Sequence, residues 1–293
     1  MPKKINRYTT GDWILTVVMV LVCFISLYPV WYTVIISLND SGDALRGGIY
    51  WFPRKFSLQS YKTVFMDKTI LNAFAVTIAR TIIGTVSSVF FTSMVAYAFS
   101  KAHIMGHKVY MIIGTITMFF GGGLIPYFIT LKNLGLYDNF LVYIIPGLFS
   151  FYNMIIFMSF FRDMPAGLEE SAKLDGANDL LIFVRIILPL SMPVLATIAL
   201  FNGVYHWNDY FMGVMYINKS ELQPIQTYLY RVVASASASK AVVAMPAGMT
   251  ANQISSTSVR LATMVVTTLP IVCVYPFLQK YFVKGFMIGS IKG

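Results

Sequence analysis

Charged residues are scarce in this sequence. They account for 12% of its 293 residues, whereas 57% are hydrophobic and 15% are aromatic. Soluble domains carry about twice that fraction of charged residues, and disordered chains carry few hydrophobic ones. Both classes are therefore excluded, and the composition predicts a membrane protein.

Cysteine is almost absent, since the chain contains two, Cys23 and Cys273. This number excludes a small secreted scaffold held by several disulfides. Each cysteine lies inside a long apolar run. We therefore predict two small, buried apolar side chains rather than a redox or metal site.

Acidic residues are also few, with 12 against 22 basic residues, which gives a net charge of +10. A nucleic-acid-binding protein concentrates such charge on one face. Here the cations are scattered through the segments between apolar runs, as in membrane proteins whose helix ends meet anionic lipid headgroups. The charge pattern predicts contact with membrane lipid and no nucleic acid.

Six apolar runs are long enough to cross the bilayer as helices, because about 20 helical residues span its hydrocarbon core. Such continuous runs exclude a transmembrane barrel, whose strands alternate apolar and polar residues. The sequence therefore predicts one all-α transmembrane domain over residues 1–293. The predicted spans are Trp13–Leu38, Ala73–Phe99, Val109–Leu131, Phe140–Phe161, Ile186–Ile217 and Leu261–Gln279.

Basic residues at the span ends predict the orientation. Lys3, Lys4 and Arg7 precede the first span, and cationic flanks favour the cytoplasmic side. Six spans then return the C-terminus to the cytoplasm and place segments such as 39–72 and 218–260 outside. We expect both termini to be cytoplasmic.

The fifth predicted span contains the polar and aromatic run YHWNDY at residues 205–210. Polar groups are costly inside a bilayer and usually face a wet cavity. Aromatic rings stack on sugar rings, while amide and carboxylate groups bind sugar hydroxyls. The alternative is an aromatic belt at the outer membrane surface. Together with two residues of the fourth span, the candidate substrate-path residues are Tyr152, Asn153, Tyr205, Trp207, Asn208 and Asp209.

Three other polar features leave alternatives open. Arg80, the one formal charge in the second span, either extends toward the outer interface or meets an anionic substrate. Asn153 either bonds to a neighbouring helix or contacts substrate. His103 and His107 have the i, i+4 spacing of a metal pair, but the absence of nearby cysteines or carboxylates favours an exposed loop and no metal site.

The sequence lacks the GxxxxGK[ST] loop that cradles nucleotide phosphates. The glycine run 121–123 has no following lysine, so we interpret it as a helix break or a close helix contact. The longest segment between predicted spans has about forty residues, which is too short for an ordinary catalytic domain. We therefore predict a chain that is not an enzyme and does not itself hydrolyse ATP.

One strongly polar segment, residues 163–189, separates the fourth and fifth spans. Pro165 and Gly167 are expected to end the preceding helix. Leu168–Leu174 is expected to form a short helix with acids in its first turn, and Gly176 permits a reversal before a second amphipathic stretch. From the residues alone, the segment is either a solvated interfacial loop or a docking element on the cytoplasmic face.

The sequence EESAKLDGA at residues 169–177 resembles the EAA loop of the inner-membrane permease subunits of binding-protein-dependent ABC importers. Ser171 stands where that motif has alanine, and both side chains are small. Ile187, Leu188 and Pro189 follow at the spacing of the family. The resemblance implies the type I importer permease fold, with six transmembrane helices and a cytoplasmic coupling-helix loop, in a bacterial inner membrane.

In that family the loop docks in a cleft of the ATPase subunit, and the glycine-containing C-terminal tail enters the ATPase interface. The resemblance implies that ATP and Mg²⁺ are bound by partner ATPase subunits and that this chain holds no cofactor. The residues that it implies for ATPase coupling are Glu169, Glu170, Ala172, Asp175, Gly176, Lys292 and Gly293.

Three further runs, FFGGGLIP at 119–126, YHWND at 205–209 and YFVKG at 281–285, resemble permeases of polysaccharide importers such as the alginate and aldouronate types. The resemblance implies half of a translocation pathway for an oligosaccharide from an acidic polysaccharide. It also implies a homologous second permease, two ATPase subunits and an extracytoplasmic solute-binding protein. The basic residues predicted outside fit either an anionic ligand or a docking face for the binding protein.

The competing hypothesis is a secondary carrier or channel for small solutes that is not coupled to ATP. Such a carrier needs an internal repeat and ion-coupling acids within its spans. The sequence has no visible repeat, and Asp209 is the one acid near a span interior. A membrane-embedded enzyme would need a convergent nucleophile and base or a metal set, and the spans contain no such pattern.

Overall fold

A computed structural model describes residues 9–44, 46–101, 104–242 and 258–273. These residues form helices joined by short loops, without a named β-strand in the described part of the chain. The all-α prediction is therefore confirmed there.

The chain divides into two compact units. One comprises residues 1–67 and 232–268, and the other comprises residues 68–231 and 269–293. The second unit holds both candidate functional regions described below. The single domain predicted for the whole chain stays a prediction.

The first unit contains α1 (Thr10–Ser37), α2 (Ser41–Ala44) and α3 (Gln59–Met66). α1 begins in a capping box, in which Thr9 Oγ1 accepts a hydrogen bond from the Asp12 amide and the Asp12 carboxylate accepts one from the Thr9 amide. The most apolar stretch of α1 has no buried residue and is long enough to cross a membrane. It occupies the first predicted span.

The segment after α1 folds back along it. Asn39 forms an isolated antiparallel bridge with Phe56, and its side-chain oxygen accepts a hydrogen bond from the Lys55 amide. Further from the bridge, Trp31 Nε1 donates to the Trp51 carbonyl over 3.3 Å. These contacts fix a short polar and aromatic segment at one end of the helix.

The second unit is organised around one long helix of 33 residues, α4 (Lys68–Ser100). The last two described helices, α13 (Ile225–Val242) and α14 (Ser258–Cys273), each contain residues of both units. The remaining bounds are α5 (His107–Phe119), α6 (Leu124–Asn133), α7 (Phe151–Arg162), α8 (Gly167–Leu174), α9 (Asp179–Ile182), α10 (Leu188–Leu190), α11 (Met192–Asn208) and α12 (Phe211–Tyr216).

α4 packs along both α7 and α11, and α5 packs against α7. A core of buried apolar residues joins these helices to the start of the fifth predicted span. In it, the Tyr97 ring stacks on Phe183 with centroids 5.4 Å apart, and Phe157 stacks on Phe161 at 5.9 Å. This core lies directly beneath the polar segment 163–189, because Ala172 and Ala177 also pack against it.

Three of the apolar runs expected to form continuous spans are bent. α5 and α6 meet at 116°, the short 3₁₀ segment Phe140–Gly147 meets α7 at 47°, and Asp179–Leu190 meets α11 at 83°. With α1 and α4, the described residues hold up to five spans by length and composition if each bent pair counts as one. α14 is shorter, and the sixth predicted span continues beyond Cys273, outside the described residues.

The breaks have local causes in the sequence. Gly123 ends the glycine run at φ +85°, a left-handed conformation that glycine adopts without strain, so the interpretation of this run as a helix break is confirmed. Ser191 lies between Pro189 and Pro193, and its Oγ donates 2.6 Å to the Ile187 carbonyl. Prolines interrupt the helical hydrogen-bond ladder, and a serine hydroxyl that bonds to the carbonyl four residues back favours a bend.

The prediction that both cysteines are buried is wrong. Cys23 on α1 and Cys273 at the end of α14 are exposed free thiols. Each lies on an apolar helix surface, and hydropathy alone does not distinguish a surface that faces lipid from one that faces the protein core.

A test of this packing uses the close approach of α4 and α11 at Gly84. A Cβ at this position would lie 2.5 Å from Nε2 of the buried His206. We expect Gly84→Ala to destabilise the protein by about 1–3 kcal/mol, because the imidazole must be displaced. Gly203→Ala is the matched control, since its Cβ meets no atom closer than 3.7 Å. The measurement is thermal unfolding in detergent. Equal melting temperatures for Gly84→Ala and Gly203→Ala would contradict this close packing.

Candidate functional site

One face of α4 carries polar side chains that bind the chain between residues 209 and 225. Asn72 Nδ2 donates to the Glu221 carbonyl over 2.7 Å. The Ile225 amide donates to Thr77 Oγ1 over 2.9 Å, and both residues are fully buried. The next polar residue on this face is Arg80, one helical turn further along. These three polar residues of α4, Asn72, Thr77 and Arg80, form a polar stripe that fixes the segment after α11 onto α4.

Arg80 and Asp209 form a buried ion pair. Arg80 Nη2 lies 2.6 Å from Asp209 Oδ2, and Nη1 donates to the Asp209 carbonyl over 3.1 Å. The Arg80 side chain is 1% exposed, and its guanidinium carbon lies 4.5 Å from the centroid of the Tyr143 ring. Tyr143 is itself held by a hydrogen bond from its hydroxyl to the Leu222 carbonyl. The guanidinium is thus paired with a carboxylate and stacked on an aromatic face.

Asp209 also determines the local backbone. α11 ends there in an extended conformation, and Oδ1 accepts hydrogen bonds from the amides of Phe211 and Met212 at 2.9 and 3.2 Å. One carboxylate oxygen therefore caps α12 while the other pairs with Arg80. The break between α11 and α12 is held by a side chain whose charge is neutralised within the protein.

A cavity of about 100 Å³ adjoins this pair. Its walls combine the ion pair with tyrosines and the imidazole of His206, which is buried. Tyr205 is 60% exposed and Tyr127 is 41% exposed. The cavity therefore presents hydroxyls and ring faces, whereas the charges of Arg80 and Asp209 cancel. Its lining residues are Arg80, Tyr127, Tyr143, Pro146, Gly147, Tyr205, His206, Asp209 and Met212.

The structure brings together some of the candidate substrate-path residues and separates others. Tyr205 and Asp209 line the cavity, but Trp207 and Asn208 do not. Asn208 Nδ2 donates to the Val204 carbonyl within α11. Tyr152 and Asn153 lie in the first turn of α7, where Tyr152 is exposed and Asn153 half-buried, and neither lines the cavity.

Neither of the two alternatives predicted for Arg80 is seen, because Arg80 pairs with Asp209 inside the protein. It neither extends toward the outer interface nor presents a free charge to a substrate. The sequence showed two opposite charges in two apolar runs, but it did not show that Arg80 and Asp209, which are 129 residues apart, form a pair. Tyr127 and Tyr143 were missed because tyrosines are common in membrane spans and neither is adjacent to another polar residue.

The polar segment 163–189 has the predicted helix, turn and helix. α7 ends at Arg162, and α8 spans Gly167–Leu174 with two acids in its first turn. Gly176 has φ +82°, so the predicted reversal occurs there. α9 begins after Asn178, whose side chain accepts a hydrogen bond from the Leu181 amide over 2.8 Å.

α8 has two faces. Glu169 and Ala172 are half-buried against the rest of the unit, whereas Glu170 and Leu174 are exposed on the opposite side, one helical turn apart. Leu174 is 89% exposed, and the Cβ of a larger residue at Gly176 would meet no atom. Of the residues implied for ATPase coupling, Glu170, Asp175 and Gly176 are therefore accessible, and Lys292 and Gly293 lie outside the described residues.

Two lysines form ion pairs that involve α8. Lys101, just after α4, pairs with Glu169, and its Nζ lies 4.4 Å from the centroid of the Tyr97 ring. Burial and the neighbouring Lys173 ammonium lower the pKa of Lys101, while the Asp179 carboxylate acts in the opposite direction. Lys173 pairs with Asp179 over 3.2 Å, and both side chains are largely exposed.

The histidine pair is only partly described. His107 begins α5, with Nε2 lying 3.2 Å from the Phe99 carbonyl and 3.4 Å from Arg162 Nη2, whereas His103 lies outside the described residues. Three or more metal-ligating side chains do not come together anywhere in the described part of the chain.

The ion pair generates a direct test. We expect Arg80→Met to destabilise the protein by about 3–5 kcal/mol, because it leaves a buried, uncompensated carboxylate. Adding Asp209→Asn should restore part of this loss, since the amide oxygen keeps the α12 cap and removes the charge. Lys219→Met is a control, because the 3.9 Å pair of Lys219 with Asp138 is exposed. Thermal unfolding of the single and double variants measures the coupling. If the losses of stability from Arg80→Met and Asp209→Asn were additive, the two side chains would not be coupled.

Comparison with known families gives one match that covers nearly the whole chain. Residues 5–288 match the family described as the binding-protein-dependent transport system inner membrane component.

Two relatives from Bacillus subtilis have similar sequences. Protein LplC is 39% identical over 270 residues, which cover 92% of this chain and 90% of LplC. The polygalacturonan/rhamnogalacturonan transport system permease protein YtcP is 40% identical over 242 residues, which cover 82% of this chain and 84% of YtcP.

Among solved structures, the chain is similar to one from a bacterial ABC transporter involved in the import of the acidic polysaccharide alginate. The TM-score is 0.81 at 31% identity, with 94% of this chain and 99% of the other covered. The resemblance to ABC importer permeases and the type I permease fold are therefore confirmed. The chain belongs to the family of binding-protein-dependent transport system inner membrane components.

Proposed function

We propose that this chain is a permease subunit of an ATP-driven importer and forms half of a translocation pathway for an acidic oligosaccharide. The observation that carries the proposal is α8, a short helix with an exposed acidic and apolar face next to a glycine reversal, in a chain of an importer family. Such a helix fits a groove on a partner protein.

The energy source is a separate ATPase. ATP and Mg²⁺ bind to the partner ATPase subunits, since this sequence lacks a phosphate-binding loop. Glu170 and Leu174 on the exposed face of α8 engage that partner, with the carboxylate pairing with a basic group and the leucine entering an apolar recess. In this proposal α8 and both termini lie on the cytoplasmic side, which the basic residues ahead of the first span support.

Motion of α8 reaches the pathway along a short covalent route. α8 continues through α9, a π-helical turn at Phe183–Ile187 and α10 into α11. π-Helical turns inside α-helices are rare and occur frequently at functional sites. Because α11 ends at Asp209, closure of the ATPase dimer would move the cavity that this residue lines.

Tyrosines supply the contacts to sugar. Tyr205 and Tyr127 combine exposed rings with a position in the cavity wall, and ring faces and hydroxyls bind carbohydrate without requiring a net charge. Tyr152, Asn153, Trp207 and Asn208 remain candidates outside the cavity, whereas Asp209 acts through its pair with Arg80.

The acidic nature of the sugar is supported by the named activities of YtcP and of the alginate transporter. Arg80 does not bind the acidic group of the sugar, because the carboxylate of Asp209 neutralises the guanidinium of Arg80. Arg46, Lys55 and Lys62, which are exposed in the first unit, are better placed to attract an anionic ligand or its binding protein. A homologous second permease, two ATPase subunits and a solute-binding protein complete the importer.

Isolation of the tagged chain from its native membrane tests the assembly. We expect an ATPase subunit and a second permease to co-purify, and reconstituted vesicles to take up sugar only with ATP. Gly176→Val should lower sugar-stimulated ATP hydrolysis, because a β-branched residue is strained at φ +82°, whereas Gly167→Ala should not. A chain that transports alone without ATP would instead identify a secondary carrier.

Competition experiments test the substrate class. We expect oligogalacturonates or oligoalginates to inhibit uptake of a labelled acidic oligosaccharide, and neutral oligosaccharides of equal length to inhibit it at least tenfold less. The double variant Arg80→Met with Asp209→Asn removes both charges without leaving one unpaired, and it should not change this preference, since the two charges cancel. Equal inhibition by neutral sugars would contradict the acidic substrate.

A further inference from the structure

The two adjacent glutamates of α8 have different surroundings. Glu169 is half-buried and pairs with Lys101. Glu170 is exposed, and its carboxylate makes no hydrogen bond or ion pair within the described part of the chain. Neighbouring positions on a helix point about 100° apart, so the two carboxylates are directed to different partners. The EAA resemblance by itself assigned both to ATPase coupling.

Lys101 is placed to hold Glu169. It directly follows the last residue of α4, where a cation is favoured by the helix dipole, and Glu169 lies in the first turn of α8, where an anion is favoured. The ammonium also lies over the Tyr97 ring. The pair therefore satisfies two helix ends at once.

The lysine is attached to the core through that ring. Tyr97 is buried, stacks on Phe183 and contacts Phe161 edge to face. A cation that is held by both a carboxylate and a buried aromatic ring is more ordered than a lysine in an exposed ion pair. The contact thus connects α8 to the rigid junction of α4, α7 and the π-helical turn.

We propose that Lys101 is a positioning residue that fixes α8 on the end of α4 through Glu169, so that Glu169 positions α8 instead of contacting the ATPase. The proposal rests on the proposed function, because it assigns roles within the coupling loop. Without the pair, α8 is held by Ala172 and by its flanking turns at Pro165 and Gly176. The ATPase would still dock, but its movement would rotate α8 instead of displacing α11.

The test uses the whole importer reconstituted in vesicles. Two quantities are measured: retention of the ATPase subunit during washes of increasing salt, and the ratio of ATP hydrolysed to sugar taken up. We expect Lys101→Met and Glu169→Gln to retain the ATPase as the wild type does and to raise the ratio about fivefold or more. Glu170→Gln should instead lose the ATPase at lower salt.

Two controls distinguish positioning from general damage. Lys101→Arg keeps the cation over Tyr97 and should keep the wild-type ratio. Lys173→Met removes the exposed pair with Asp179 from the same helix and should leave both quantities unchanged.

Three results would overturn the inference. The first is loss of the ATPase from Glu169→Gln at a lower salt concentration than from the wild type. The others are a wild-type ratio of ATP hydrolysed to sugar taken up in Lys101→Met, or a ratio in Lys173→Met that is raised as much as in Lys101→Met. The proposed function fails in a different way, namely if no ATPase co-purifies with the unmodified chain.

Discussion

The buried pair of Arg80 and Asp209 is the constraint on which the second unit depends. A charge in an apolar environment is stable only when it is paired and hydrogen-bonded, and this pair meets the condition with two contacts to one residue and an aromatic face beneath the guanidinium. The same carboxylate ends α11 and caps α12. One electrostatic interaction therefore places α4, the end of α11 and the cavity.

α4 connects the two regions that matter for transport. Its polar stripe, from Asn72 to Arg80, binds the irregular segment after α11, and the lysine that follows its last turn holds α8. Between these ends, close packing against α7 and α11 makes the helix a rigid reference. In the proposed mechanism, α8 is held on the end of α4 and cannot rotate freely, so its displacement by the ATPase reaches α11 through the π-helical turn.

The sequence predicted some of this structure and missed the rest for physical reasons. Hydropathy located the apolar helices, and the residues around Gly176 predicted the short helices and the reversal of the coupling loop. Hydropathy shows where a segment is apolar but not whether its helix axis is straight. The large bends at Gly123 and Ser191 were therefore not predicted. The partner of Arg80 is 129 residues away, and local patterns do not reveal such pairs. The two glutamates of α8 differ in surroundings that only packing determines.

We infer that the exposed face of α8 transmits the movement of the ATPase to the rest of the chain. Photo-crosslinking tests it most directly, with a photoreactive amino acid at Leu174, which is 89% exposed, or at Ala172, which packs against the core. In the assembled importer, we expect a crosslink from position 174 to the ATPase subunit and none from position 172. Crosslinking from 172 alone, or from neither position in an active importer, would contradict it.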